Sequence, residues 1–302
     1  MKNIPTVTIG IPAFNEEANI GKLLQNLLLQ KENGFVIEKI IVISDGSTDQ
    51  TVKVVQKVKD KKISLIKGKT RKGSSSRQEQ IIQQCSSNIL LLLDADIVPE
   101  TNNFVRKITQ PILKDESVGL VSAKILPAKP KNYFESVVVF SHKLKVSMDN
   151  DLKGNNEVYL CHGPARALSK KFYQTLQIPN TIGNDAYCYF ECKRKRFKFV
   201  YEADAVVRYR APGDLMGQLR QSTRFYECKS ALQNFFDKET LETEYYISKQ
   251  ILVKTALKGL LKDPIRATVY TLTLFVSKLL KSIRVIKSTH LWVPVKSSKH
   301  VS

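Results

Sequence analysis

The chain has 302 residues, 42% of them hydrophobic and 25% charged, with a formal net charge of +20 at pH 7. Those proportions suit a globular body with a sizeable core and exclude a disordered or fibrous chain, while the cationic surplus points to polyanions: nucleic acid, anionic lipid or phosphorylated substrates. Five cysteines without framework spacing exclude a disulfide scaffold and argue against zinc, no run of eighteen apolar residues reads as a spanning helix, and no cleavable leader is expected, so a reducing, cytoplasmic compartment follows.

Residues 7–11 are a short β-rich run. The loop Pro12-Ala13-Phe14-Asn15-Glu16-Glu17 follows, and Ile20, Leu23, Leu24, Leu27 and Leu28 then recur at helical spacing. Residues 39–43 form a second apolar strand, and Ser44-Asp45-Gly46-Ser47-Thr48-Asp49 turns into a helix carrying Val52, Val55 and Val58. Residues 63–66 are a third strand, followed by the basic loop Lys69-Thr70-Arg71-Lys72-Gly73 and a helix to Cys85. Strands alternating with helices in this way predict an α/β architecture with a mainly parallel sheet.

The aliphatic run Ile89-Leu90-Leu91-Leu92-Leu93 is too short for an ordinary helix and reads as a strand buried on both faces. It ends in Asp94-Ala95-Asp96, which places paired negative charge at the carboxyl edge of the sheet, where open α/β folds bind ligands. Hard oxygen ligands at this spacing suit Mg²⁺ or Mn²⁺ bridging to substrate phosphates. Taken alone, the same residues also fit an Asp-rich turn capping the next helix.

A helix over 102–113, stopped or kinked by Pro111, and a strand at 118–122 continue the pattern. The alternation then loosens: a helix at 133–148, a polar loop at 149–157, a strand at 158–161, a helix at 172–176, and another opening at Asn184-Asp185. Short strands at 197–201 and 205–209 precede an amphipathic helix over 215–236.

Four signals stand in one order: Pro12-Ala13-Phe14-Asn15-Glu16-Glu17, Asp45-Gly46-Ser47-Thr48-Asp49, Asp94-Ala95-Asp96, and Asn184-Asp185 followed by Gln221-Ser222-Thr223-Arg224-Phe225. Together they resemble the family 2 glycosyltransferases over about the first 230 residues. The resemblance implies a GT-A fold, a mixed and mostly parallel sheet with helices on both faces and a nucleotide-sugar held at the strand ends. It also implies inversion at the anomeric carbon, with UDP as the default nucleotide.

Carried over residue by residue, the resemblance makes the loop with Pro12 and Ala13 a cradle for the base, with Phe14 stacking and Glu16 bonding to its edge. Asp45 binds base or ribose. A core aromatic and a turn-former are the structural alternatives for Phe14 and Asp45. Asp94, with Ala95, handles ribose and diphosphate, and Asp96 is the more direct ligand of Mg²⁺ or Mn²⁺. Arg71 and Lys72 either add a cation over the phosphates or are solvated surface.

Asp185 is the catalytic base of the resemblance, because inverting transfer needs a carboxylate on the acceptor side of the sugar. Capping of its own helix is the alternative. Asn184 stands where that family has Glu, which removes a charge beside the base. Gln221 and Arg224 share a helical face towards acceptor or pyrophosphate, and Phe225 replaces the family's Trp. Without spanning helices to form a channel, transfer of one or a few sugars is expected, to a glycan or lipid-linked acceptor.

The division expected is a catalytic body over 1–236, a basic helical extension over 237–288 and a disordered tail over 289–302. From residue 251 onward Lys254, Lys258, Lys262, Arg266, Lys278, Lys281, Arg284, Lys287, Lys296 and Lys299 face one acid, Asp263. Val269, Leu272, Val276, Leu279, Leu280 and Ile283 line one helical face, which suits either an anionic membrane surface or packing onto the body. Two further readings stay open: a sugar-phosphate nucleotidyltransferase, which lacks the expected Gly- and Arg-rich first loop, and a nucleic-acid binder, whose aromatic platforms are missing from the aliphatic arm.

Overall fold

The computed structural model describes residues 4–152, 157–282 and 291. The chain opens with β1 (Thr6–Ala13), α1 (Ile20–Leu28), β2 (Val36–Asp45), α2 (Thr51–Lys57), β3 (Ile63–Gly68), α3 (Ser74–Gln84) and β4 (Ile89–Leu93). It continues through β5 (Ile97–Pro99), α4 (Phe104–Lys114), β6 (Val118–Pro127), α5 (Tyr133–Val146), the single turn α6 (Asp149–Leu152), β7 (Ala165–Ser169) and the turn α7 (Lys170–Tyr173). Then come α8 (Asn184–Arg194), β8 (Lys198–Tyr209), α9 (Leu215–Leu232), α10 (Lys238–Glu244), α11 (Lys249–Lys262) and α12 (Pro264–Ser282).

The strands form one mixed sheet in the order β3-β2-β1-β4-β7-β6-β8-β5. The β3-β2-β1-β4 half is parallel, and β7 enters antiparallel between β4 and β6. The α/β GT-A architecture expected from the resemblance is thus present. Its core has two layers divided by the sheet. Ile89, Leu91 and Leu93 of β4 pack into one layer with α1, α2 and α4, while Leu90 and Leu92 pack into the other with α3, α7 and α8. Period-two alternation in a strand covered on both faces makes every residue of β4 apolar and buried. Helix α3 approaches β1 so closely that a side chain at Gly10 would collide with Ile81.

Several elements differ from the sequence reading. Pro111 neither stops nor visibly ends α4, which runs through it to Lys114. The proline lies in the last turn, where it costs one donor, and Phe104, Val105 and Ile108 hold the helix on the sheet. Residues 157–160 are a 3₁₀ turn and not a strand. The two short strands expected after Phe197 are one, β8, interrupted where Ala123 pairs with Glu202 but the next residue, Lys124, pairs with Val206. This bulge carries Ala203 and the exposed, charged Asp204, which make the strand look broken in sequence. The sequence reading missed β7, whose small residues and central Arg166 carry no β-branched signature.

Beyond the body, α11 and α12 form a hairpin broken at Asp263-Pro264, and both pack on α5 while α12 also meets α9. The extension thus packs on the body at least on one side. The apolar face that suited either a membrane surface or the body is divided: Val269 and Val276 are half-buried, Thr273 and Ser277 are buried, and Leu272 and Leu279 are exposed. Ile283 and the expected disordered tail lie outside the described residues apart from Leu291.

Candidate active site

The carboxyl ends of β1, β2 and β4 open on a cleft of about 340 Å³ that also receives the starts of α3 and α8 and one face of α9. On one side stand Pro12, Ala13, Phe14, Glu16 and Asp45; at the centre are Asp94, Ala95 and Asp96; on the far side are Asn184, Asp185, Gln221 and Arg224. Residues as far apart in sequence as Pro12 and Arg224 therefore converge on one cleft.

The first side is already tightly bonded. Asp45 is buried; its Oδ1 accepts from the Lys72 N–H and from Arg77 Nε, and its Oδ2 accepts from the Gly73 N–H. The carboxylate expected to meet base or ribose thus also holds the 71–73 loop in place. Arg71 lies over the ring of Phe14 with its guanidinium carbon 3.8 Å from the centroid. Glu16 is buried and accepts from Asn19 Nδ2. Asp49 has a turn role, accepting from the N–H groups of Thr51 and Glu17.

Lys72 is a correction. Its side chain is exposed and does not line the cleft; Arg71 does, and Lys72 contributes its backbone N–H to Asp45. Gly73, with φ +91°, then leads into α3.

At the centre, Asp94 is anchored by its N–H to the Pro164 carbonyl. Burial, then the charge of Asp96, push its carboxyl up to about 7, with Arg166 opposing and Asp185 adding to the rise. Ionising both carboxylates of this pair sets like charges side by side, beyond what the nearby guanidinium groups offset. Hard carboxylate oxygens short of a counter-ion fit Mg²⁺ or Mn²⁺. Among the described residues no three His, Cys, Asp or Glu side chains form a complete metal cage. Asp96 and Asp94 are the residues that could hold such an ion, with oxygens of a diphosphate and water filling the rest of its shell.

Across the cleft, Asp185 sits in the first turn of α8. Its Oδ1 accepts from the adjacent Ala186 N–H, and it does not cap the helix, whose N-cap is Gly183. Gly183 has φ +78°, and a side chain there would strike the Cys228 sulfur, so only glycine delivers the chain to this turn. Asn184 donates Nδ2 to Gln78 Oε1 at 3.0 Å. Arg224 is half-buried beside these acids; burial lowers its pKa, and Asp185 and then Asp94 oppose the fall.

Gln221 and Arg224 enter the cleft together, as their spacing required. Phe225 does not. It is 61% exposed on the outer side of α9, against Tyr159, because i+1 on a helix points about 100° away from i. Sequence reasoning missed Tyr209 and Arg210 at the rim and Arg166 beneath the floor. Arg210 forms a buried ion pair with Glu135 at 2.8 Å. No motif marks it.

A sheet edge carrying paired acids, with an aromatic-lined pocket on one side and a lone carboxylate on the other, defines a nucleotide-sugar type of α/β site. The model of glycosyl transferase family 2 matches residues 8–176, and the chain belongs to that family. It is similar to a glucosyl-3-phosphoglycerate synthase of Mycolicibacterium smegmatis, 25% identical over 157 residues, covering 51% of this chain and 46% of the relative. It is also similar to a 4,4'-diaponeurosporenoate glycosyltransferase of Staphylococcus aureus, 26% identical over 178 residues, covering 57% and 46%. The chain thus matches less than half the length of these curated relatives. Among solved structures, the fold resembles a mannosyltransferase of Pyrobaculum calidifontis in complex with GDP-Man and Mn²⁺. That match has a TM-score of 0.61 and 16% identity, covering 95% of this chain and 77% of the other.

Proposed function

We propose that the protein is a metal-dependent, inverting glycosyltransferase that moves a sugar from a nucleotide-diphosphate donor, with UDP-sugar favoured, to a hydroxyl of a lipid-linked or cell-envelope glycan. One observation carries this reading: Asp94 and Asp96 on one side and Asp185 on the other line the same cleft. Mg²⁺ or Mn²⁺ at the acid pair supplies charge neutralisation for the leaving diphosphate. Arg224 adds a fixed positive charge near the same atoms, and the pocket beside Phe14 and Asp45 orients the nucleoside. Asp185 then takes the proton from the attacking hydroxyl, whose oxygen forms the new bond on the sugar face opposite the departing nucleotide.

The acceptor class rests on the C-terminal hairpin. Leu252, Val253, Leu257, Leu260 and Leu261 of α11 and Ile265, Leu272, Phe275 and Leu279 of α12 are exposed, with Lys249, Lys254, Lys258 and Lys262 beside the α11 residues. Bulky apolar side chains framed by lysines suit the surface of an anionic membrane. No helix among the described residues is long and apolar enough to cross one. Peripheral attachment on the cytoplasmic face completes the reading, supported by five free thiols.

The test is a screen of nucleotide-sugars with Mn²⁺ or Mg²⁺, run with wild type and Asp185→Asn. Donor binding is expected to persist in the variant while transfer falls by roughly 10²-fold or more. Equal rates for the two proteins would remove Asp185 from the mechanism.

A further inference from the structure

Arg166 is the largest fully buried side chain among the described residues, at 0% exposure. It stands on β7 opposite Leu92 of β4, below the floor of the cleft, and does not line it. Its Nη2 donates to Gln78 Oε1 at 3.1 Å and its Nη1 to the Asn184 carbonyl at 3.2 Å. Nε has no hydrogen-bond partner, and no carboxylate forms an ion pair with this guanidinium among the described residues. Burying a cation with only neutral acceptors is costly, so the charge must be compensated by something other than contact. Burial opposes this charge, while Cys188, then Asp185, Cys161 and Asp94 favour it; burial holds the two thiols protonated, so the acids Asp185 and Asp94 supply the compensation.

Two contacts of Arg166 lead to the start of α8. Gln78 Oε1 accepts from both Arg166 and Asn184 Nδ2, and Asn184 immediately precedes Asp185. Gln78 belongs to a face of α3 that grips the approach to α8 at two further places. Ser75 Oγ donates to the Thr181 carbonyl at 3.1 Å, and Glu79 Oε2 accepts from the Ile178 N–H at 2.8 Å. The first turn of α3 lines the donor side of the cleft. Donor side and acceptor side are therefore braced through one helix, and Arg166 is the buried end of that brace. The same contacts explain Asn184: an amide there donates to Gln78, which a carboxylate would repel.

We propose that Arg166 is a positioning residue for transfer, fixing Asp185 through Gln78 and the Asn184 carbonyl and supplying a permanent positive charge beneath the acids of the cleft. It touches no substrate. This rests on the glycosyl-transfer reading and assigns a part to residues outside the four motifs.

The experiment compares wild type, Arg166→Met, Arg166→Ala and Gln78→Met in thermal unfolding, Mn²⁺-dependent nucleotide-sugar binding and single-turnover transfer. Displacement of a catalytic group by about 1 Å costs roughly 10²-fold in rate. Arg166→Met is expected to slow transfer by about that factor with donor Kd changed by less than about threefold, and Gln78→Met to slow it by about 10-fold. Added guanidinium ion is expected to restore part of the rate of Arg166→Ala and none of that of Asp185→Asn. Should the Arg166 variants fail to fold, Gln78→Met decides, since it keeps the guanidinium in place. Transfer within twofold of wild type in the folded variants, or donor binding lost in proportion to rate, overturns the proposal. A wild-type protein inert towards every nucleotide-sugar brings down the parent reading with it.

Discussion

Arg77 donates Nε to Asp45 Oδ1 across 2.7 Å, and both side chains are almost wholly buried. Arg77 Nη2 also donates to the Thr70 carbonyl at 2.6 Å, so one guanidinium ties the end of β2 to the basic loop before α3. Removing one partner of a buried pair leaves an uncompensated charge and costs about 3–5 kcal/mol. Arg77→Met is expected to lose about that much stability in chemical denaturation. It should also bind nucleotide-sugar more weakly, because the 70–73 loop that shapes the pocket is released. Unchanged stability and affinity would mean that the two amides hold Asp45 unaided.

The Asp94 carboxyl stands at about 7 because of burial first and Asp96 second. Its folded pKa lies above the ordinary carboxylate value, so the metal-free folded protein holds this proton more tightly than the unfolded chain does. The resulting stability is complete below the unfolded pKa and is lost as pH rises through 7. A cation competes with that proton. The rise in Tm produced by Mn²⁺ is therefore expected to be small near pH 5.5 and to grow towards pH 8, and Asp94→Asn should flatten it. Melting curves in matched buffers check this; a Mn²⁺ effect independent of pH in wild type would detach Asp94 from the ion.

Helix α9 offers an internal contrast. Arg224 enters the cleft beside Asp94 and Asp185, whereas its neighbour Phe225 faces outward onto Tyr159. Arg224→Met is expected to reduce transfer by about 10²-fold or more, as loss of a charge aimed at a developing anion does. Phe225→Ala should leave the rate within about twofold, since surface changes away from such features have small effects. The reverse order, measured in one assay, would mean that α9 rotates when substrate binds.

The hairpin makes a prediction separate from the chemistry. Replacing Leu257 and Leu261 by Ser, or Lys258 and Lys262 by Glu, is expected to reduce co-sedimentation with anionic vesicles severalfold without lowering Tm, because these side chains are exposed. Neutral vesicles should retain less protein than anionic ones, and added salt should release it. Equal binding by all the variants would place lipid contact elsewhere. Deleting residues 264–302 is a poorer test, since α12 covers parts of α5 and α9.

The parallel half of the sheet was readable because its strands are compact apolar runs and its helices carry regular spacing; β4 and its acidic end are the clearest case. Where β7 was missed, the strand gains its stability from burial between β4 and β6 and not from residue preference, and its core Arg166 looks like a surface residue in sequence. The motifs located most of the cleft, yet which of two adjacent cations enters it, Arg71 or Lys72, depends on contacts distant in sequence: the Lys72 N–H is bound to Asp45 and Arg71 lies over Phe14. Phe225 misled for a related reason: a motif gives the helix but the rotation of each side chain follows from what α9 packs against. Gln78 and Arg166 have no linear signal, because their partners lie 106 and 18 positions away.

The division of β4 between two packing layers also sets a limit on how this chain can vary. Inserting or deleting one residue between Asn88 and Asp94 would exchange the partners of every leucine in the strand and turn the acidic tip to the opposite side of the sheet. The length of that segment is therefore a quantity under physical constraint in its own right, separate from the identity of any residue in it.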